Sequence, residues 1–326
     1  MQRQIPFSGS NCLKNVARGL ERHGVSRALR CGFCVLLSDL RTTGGNARAD
    51  ELCYNPASNV VLVANPSELS GTPPTATGGF ITFIDAKKYK VIGQIKFDGT
   101  DSNGNNIHAV GIEQCVYNPR DGNFYLSIPA TMGQTYSPQG VTLRISPSAP
   151  FKVLAAFPIP KTGCNGGAGL AVGPANQLLL GCGGTSTSSL IISDLFDGTA
   201  ILGAQPGPDE VWFNSSTHHY YLAASGPAKL GVEDAGSVTS NTCNAAPSSG
   251  CPTADVAIAI GAGSHSVAAD SITNQVYVPI RSNMVAVTPP ATLPTVCSSF
   301  TGNTADDVKG CIAVYNDVGE VPPGSP

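Results

Sequence analysis

Short apolar runs come in pairs along residues 50–318, and each pair is split by residues that favour tight turns. The pairs are "LCYNPASNVVLVAN" (52–65), "CVYNPRDGNFYLSI" (115–128), "LAVGPANQLLLGCG" (170–183), "VWFNSSTHHYYLAAS" (211–225) and "VAADSITNQVYVPIR" (267–281). They align on one column, Asn55, Asn118, Gly173, Asn214 and Asp270, whose members lie 63, 55, 41 and 56 residues apart. Runs this short, rich in β-branched and aromatic residues, predict strands. The Asn, Asp, Pro and Gly between them predict hairpins. A third strand is predicted at "GFITFIDA", "VTLRISP", "SLIISDL" and "GCIAVYND", and a fourth at "YKVIGQIKF" and "FKVLAAFPI". Four antiparallel strands recurring at this spacing define the blade of a β-propeller, an all-β fold.

Five such repeats are visible, in a ring of five or a shortened ring of six or seven. The last lacks its outermost strand, which "FCVLLSDL" (33–40) is placed to supply. The expected organisation is an irregular leader over 1–48, a propeller over 49–318 and a Pro/Gly-rich tail over 319–326. The leader is either a degenerate export signal or a non-native start.

Composition supports this picture: 13% of residues are charged, with 37 Gly and 25 Pro, a mix of turn formers and few charges. Residues 1–49 carry eight Lys/Arg against two acids and the remainder eleven against twenty. An acidic body without basic and aromatic stripes excludes nucleic acid as the expected partner. No run reaches the roughly 18 to 20 apolar residues of a membrane span. An unknown small molecule or protein is the partner left.

Of eleven cysteines, three stand in the leader and eight in the repeats. Cys164/Cys182, Cys243/Cys251 and Cys297/Cys311 are local pairs, and Cys53 and Cys115 recur one repeat apart. Disulfides at these positions imply an oxidising compartment, periplasmic or secreted; free cysteines packed as small hydrophobes are the alternative.

Carboxylates stand directly before several first strands. Five positions ahead of the column are Asp50, Glu113, Ala168, Asp209 and His265; the next position holds Glu51, Gln114, Gly169, Glu210 and Ser266. In a propeller the first strand of each blade lines the central channel, so these positions form two levels around one mouth. Asp50, Glu113, Asp209 and His265 are thus candidate ligands for a divalent cation, Ca²⁺, Zn²⁺ or Mn²⁺, with Glu51, Gln114, Glu210 and Ser266 as a second ring. Acid–base chemistry and simple solvation of a wet mouth are the competing readings, and crowded carboxylates without a cation raise one another's pKa values.

The alternation of "YNP…NVVLVAN…GFITFIDAKKYKVIGQI" and "HSVAADSITNQVYVPI…GCIAVYND" resembles the YVTN/NHL-type bacterial propellers and, more widely, the gluconolactonase, senescence-marker and streptogramin-lyase propellers. The likeness covers about residues 50–318. It implies an envelope or secreted protein, several relatives having no assigned activity. Gluconolactonase-type relatives imply a divalent ion in the mouth, although their asparagine ligands have no counterpart here. The lyases imply a channel-mouth histidine acting as acid and base, and His265 alone stands in that register.

Other motifs carry less. "DGTDSNGNN" (98–106), counted from Asp101, departs from an EF-hand at the sixth and twelfth loop positions, Asn106 and Ile112. His108 is expected at the surface, His218 and His219 in an exposed turn, and Trp212 in the core. The glycine runs open no helix and lack the Lys-Ser/Thr ending of a phosphate loop. Neither G-x-S-x-G nor H-E-x-x-H is present. The chain therefore reads as an exported binding module with an acidic funnel, the alternative being a metal-dependent lactone hydrolase or lyase.

Overall fold

The computed structural model describes residues 49–66, 68–70, 75–99, 107–131, 140–159, 164, 166–174, 177–182, 189–193, 199–202, 209–225, 228–236, 253–259, 264–280 and 311–317. The chain divides into two units, residues 1–44 and 45–326, and the described residues all belong to the second. Every regular element among them is a strand, and none of them is a helix long and apolar enough to cross a membrane.

The strands form successive antiparallel sheets, each built from one sequence repeat. Blade I contains β1 (Leu52–Asn55), β2 (Val60–Asn65), β5 (Phe80–Asp85) and β6 (Lys90–Lys96), with the small hairpin β3 (Glu68–Ser70) and β4 (Thr75–Thr77) inserted after β2. Blade II contains β7 (Cys115–Asn118), β8 (Asn123–Ile128), β9 (Val141–Ile145) and β10 (Val153–Pro158). Blade III contains β11 (Gly167–Val172), β12 (Leu178–Cys182), β13 (Ser189–Ser193) and β14 (Thr199–Leu202). Blade IV contains β15 (Glu210–Asn214), β16 (His219–Ala224), β17 (Lys229–Asp234) and β18 (Thr253–Ala259). Blade V shows β19 (Ala268–Asp270), β20 (Gln275–Ile280) and β21 (Cys311–Asn316) among the described residues. The segment 33–40 lies outside them. Strands β17 and β18 were not anticipated, because Gly231 and Glu233 interrupt the apolar pattern of β17 even though Glu233 is fully buried.

Apolar clusters fill the spaces between consecutive blades. Leu62 and Phe83 of blade I meet Phe124 and Leu143 of blade II, and Phe83 also stacks on Phe151 with ring centroids 3.8 Å apart. Tyr125 and Phe157 of blade II meet Leu178 and Leu180 of blade III. Leu179 of blade III packs with Tyr220 and Leu222 of blade IV. Tyr221 and Val232 of blade IV meet Val276 and Val278 of blade V. A second strand sandwiched between two blades is buried on both faces, which is why β12 and β16 are apolar without alternation. In contrast, β2 and β20 keep a partly exposed residue at alternate positions.

The aligned column is explained by the turns. Asn55 Oδ1 accepts from the N–H of Ala57 at 2.9 Å and of Ser58 at 3.3 Å. Asn118 Oδ1 accepts from Arg120, Asn214 Oδ1 from Ser216 and Asp270 Oδ1 from Ile272. These side chains fold back on the following backbone, the usual device of Asx turns. Four residues beyond each, the chain turns left-handed at Asn59 (φ 57°), Gly122 (φ 76°), His218 (φ 60°) and Asn274 (φ 56°).

Two disulfides have both cysteines among the described residues. Cys53–Cys115 ties the inner strands of blades I and II, with Cα atoms 5.7 Å apart, and Cys164–Cys182 closes a local loop at 5.1 Å. Cys311 is disulfide-bonded to a partner outside the described residues. Cys243, Cys251 and Cys297 also lie outside them.

Two expectations are corrected. Trp212 is 42% exposed and not packed in the core: it faces the opposite side of β15 from the buried Val211. His219 is buried rather than exposed, and its Nδ1 pairs with Asp317 Oδ2 at 2.7 Å. The first residue after an αL turn residue starts a strand and points inward, so only His218 stays in solvent. His108 is half-buried and its backbone bridges to Asp98.

Candidate functional site at the inner strand ends

Backbone hydrogen bonds continue each inner hairpin beyond its last paired strand residue. The N–H groups of Asp50, Glu113 and Asp209 donate to the carbonyls of Ala64, Ser127 and Ala223 at 2.9, 3.0 and 2.9 Å. In the alignment Ala64, Ser127 and Ala223 are themselves equivalent. Asp50, Glu113 and Asp209 therefore occupy one level in blades I, II and IV, set by ladder register.

Side-chain geometry separates the candidates into pairs. Asp209 hydrogen-bonds His265 through Oδ2 and Nδ1, joining blades IV and V. The His265 side chain is 53% exposed and that of Asp209 34% exposed, so a dissolved molecule can reach this imidazole. The carboxyl groups of Glu51 in blade I and Glu210 in blade IV come together. Two carboxyl groups in contact favour a state in which one proton is held between them. Burial pushes the Glu51 carboxyl up to about 8, and the adjacent charges of Glu210, Asp50 and Asp209 push in the same direction.

The second-level residue of blade II behaves differently. Gln114 Oε1 accepts from the N–H of Leu170 in β11 at 2.7 Å and of Val211 in β15 at 3.3 Å. Its oxygen is thus spent on backbone donors of blades III and IV. The corresponding residue of blade III, Gly169, lets those two blades touch: a Cβ there would lie 2.6 Å from Val211 Cγ2 and 2.8 Å from Val211 N. Ser266 offers its backbone, the carbonyl accepting from Ser264 Oγ at 2.8 Å.

Among the described residues no group of three or more His, Cys, Asp or Glu side chains is arranged to hold a metal ion. What the fold assembles is a close carboxyl pair, Glu51–Glu210, and a carboxylate–imidazole pair, Asp209–His265. Such a set is rich in hydrogen-bond acceptors.

A second polar constellation, unanticipated from sequence, ties blades IV and V at the turn end. Tyr221 and His219 both bond Asp317 Oδ2, and Thr217 Oγ1 lies 3.2 Å from the Tyr221 hydroxyl. Burial, and then the Asp317 carboxylate, raise the Tyr221 phenol further above its ordinary range. Histidine in a turn sequence gave the only hint; the carboxylate partner lies 98 residues away.

No family description matches the chain, and no curated protein matches it by sequence. Solved structures do match. Hydrazine synthase of Kuenenia stuttgartiensis superposes with a TM-score of 0.50 at 13% identity, over 76% of this chain and 62% of that one. A Lactobacillus plantarum protein superposes with a TM-score of 0.50 at 11% identity, over 72% and 64%. The periplasmic gluconolactonase PpgL of Pseudomonas aeruginosa gives 0.49 at 12% identity, over 72% and 65%. The chain spans less than two thirds of the length of these structures. At such identities the likeness defines the fold alone, and the fold is a β-propeller, as the repeats predict.

Proposed function

We propose that this propeller binds a small, neutral or cationic, hydroxyl-bearing molecule at the mouth formed by the inner strand ends. The observation that carries the reading is the hydrogen-bonded Asp209–His265 pair beside the approaching carboxyls of Glu51 and Glu210 from blades I and IV. A carboxyl sharing one proton with a carboxylate keeps several oxygen lone pairs free to accept, which the hydroxyl or ammonium donors of a ligand can fill. The remaining negative charge disfavours phosphates and carboxylates. Thermal melting against a panel of polyols, neutral lactones, organic ammonium ions and Ca²⁺, Zn²⁺ and Mn²⁺ tests this. A hydroxyl-rich or ammonium compound is expected to raise Tm, with the rise lost in Glu51→Ala/Glu210→Ala. A panel without effect, or an effect that survives in the double variant, rejects the reading. Any cation that binds at full strength to Asp209→Ala/His265→Ala is seated elsewhere.

The Asp209–His265 pair favours a second reading, hydrolysis of a lactone or a lyase reaction. A carboxylate that orients an exposed imidazole prepares it as a general base. In hydrolysis His265 would take a proton from water as its oxygen attacks the lactone carbonyl, and the breaking ring C–O bond would receive the Glu51 proton on its oxygen. Turnover of any neutral lactone that disappears in His265→Ala supports this; full turnover in that variant rejects it.

Export accompanies both readings, supported by the two disulfides, since such bonds persist in oxidising compartments. Mass mapping without reduction should recover Cys53 joined to Cys115 and Cys164 joined to Cys182.

A further inference from the structure

We propose that Gln114 is the positioning residue of this mouth: its amide oxygen, reaching from blade II, holds β11 by the Leu170 N–H and β15 by the Val211 N–H, and so places Glu210 against Glu51. The role rests on the proposed binding reading and explains how that site is kept in register.

The innermost strand of a blade has one edge without a strand partner, so its N–H groups need acceptors from elsewhere. In blades III and IV one side-chain oxygen meets both needs. The Val211 nitrogen belongs to the same rigid peptide plane as the Glu210 carbonyl. Pinning that nitrogen fixes the Glu210 backbone, from which the carboxyl reaches Glu51. The opposing anchor is also fixed, because the Glu51 carbonyl accepts from the Ala64 N–H at 2.8 Å. Gly169 completes the device by removing the Cβ that would hold β11 and β15 apart, and the pairing of β11 with β12 shifts register in the same stretch, between Gly167 and Leu170.

The chemistry selects glutamine. A glutamate would accept the same two bonds but add a charge beside Glu51, Glu210, Asp50 and Asp209. A leucine of similar length would leave both donors without an acceptor. With its oxygen committed, the amide has only N–H donors left to offer, so Gln114 shapes the site without ligating a cation.

The test uses the full chain in three forms, wild type, Gln114→Leu and Gln114→Glu, followed by carboxyl-carbon NMR across pH and by amide exchange at Leu170 and Val211. In Gln114→Leu, protection of both amides should fall about tenfold, the factor expected for roughly 1.4 kcal/mol per hydrogen bond, and the upper glutamate step should move toward acid by about one pH unit. The isosteric Gln114→Glu should retain the protection and move that step toward base. A folded Gln114→Leu protein with the wild-type titration overturns the proposal, as does a Gln114→Glu protein whose step is unmoved or lowered. A wild-type protein with no glutamate step above the ordinary range instead rejects the mouth reading itself, and the role of Gln114 with it.

Discussion

The two ends of the inner hairpins solve opposite problems. At the turn end, Asn55, Asn118, Asn214 and Asp270 each satisfy backbone groups two or three residues ahead. At the mouth the reach is long: Gln114 bonds residues 56 and 97 positions away, and Asp209 bonds one 56 away. The same strands therefore carry an end whose turns each repeat can close alone, and an end whose side-chain pairs exist only once several blades stand together. Uniformity marks the first and divergence the second. Function is expected at the divergent end, because a repeat that must merely close a turn has no reason to vary.

The turn end also carries bonds between blades, such as Arg120 Nη1 to the Gly173 carbonyl and Gln177 Nε2 to the Ala235 carbonyl. Removing Asp317, which serves two side chains at once, should have the largest effect. Asp317→Ala leaves buried His219 and Tyr221 without their shared acceptor, a cost of about 3 kcal/mol, read as a lower urea midpoint. His219→Ala added to it should cost little more, since the two act on one network. Gly169→Ala should follow, at about 2 kcal/mol of overpacking against Val211, and should also displace the glutamate titration. A variant that melts lower with the titration unchanged would separate packing from mouth geometry.

Asn55→Ala should cost about 1 kcal/mol, as for other side chains that cap local N–H groups, and should leave the mouth untouched. Its counterpart, Glu51→Gln, differs in kind. A carboxyl whose pKa is raised on folding binds its proton more tightly in the native state. Stability should thus decline as pH rises from the ordinary glutamate range toward about 8 and level off above it. Glu51→Gln keeps a hydrogen bond to Glu210 and should abolish that decline, with the midpoint unchanged near pH 4 and higher than wild type at pH 9. An identical pH profile in the variant would mean that the pair does not share a proton. The smallest effect belongs to His218→Gly: relief of a left-handed backbone at a residue with a Cβ should stabilise by about 1 kcal/mol or less.

Much of the propeller was legible because its determinants are local and repeated. The alternation in β2, the unbroken apolar runs of β12 and β16, and the aligned turns each follow from a strand's position between two neighbours. The Cys53–Cys115 bond joins cysteines that recur in the first strands of consecutive repeats. Less legible were the residues whose surroundings come from another blade. Trp212 reads as core by composition, yet its face of β15 leaves it open. His219 reads as turn surface, yet Asp317 encloses it.

The mouth shows the division most plainly. Sequence by itself determined which residues stand at the inner strand ends, since ladder register is a matter of counting in steps of two along each hairpin. Only the tertiary structure decided which of them meet: Glu51 with Glu210, Asp209 with His265, and Gln114 with two backbone donors instead of a ligand. Those pairings depend on the distances between blades, set by side-chain volume at places such as Gly169 and Val211, and no one-dimensional pattern records a distance between strands more than fifty residues apart.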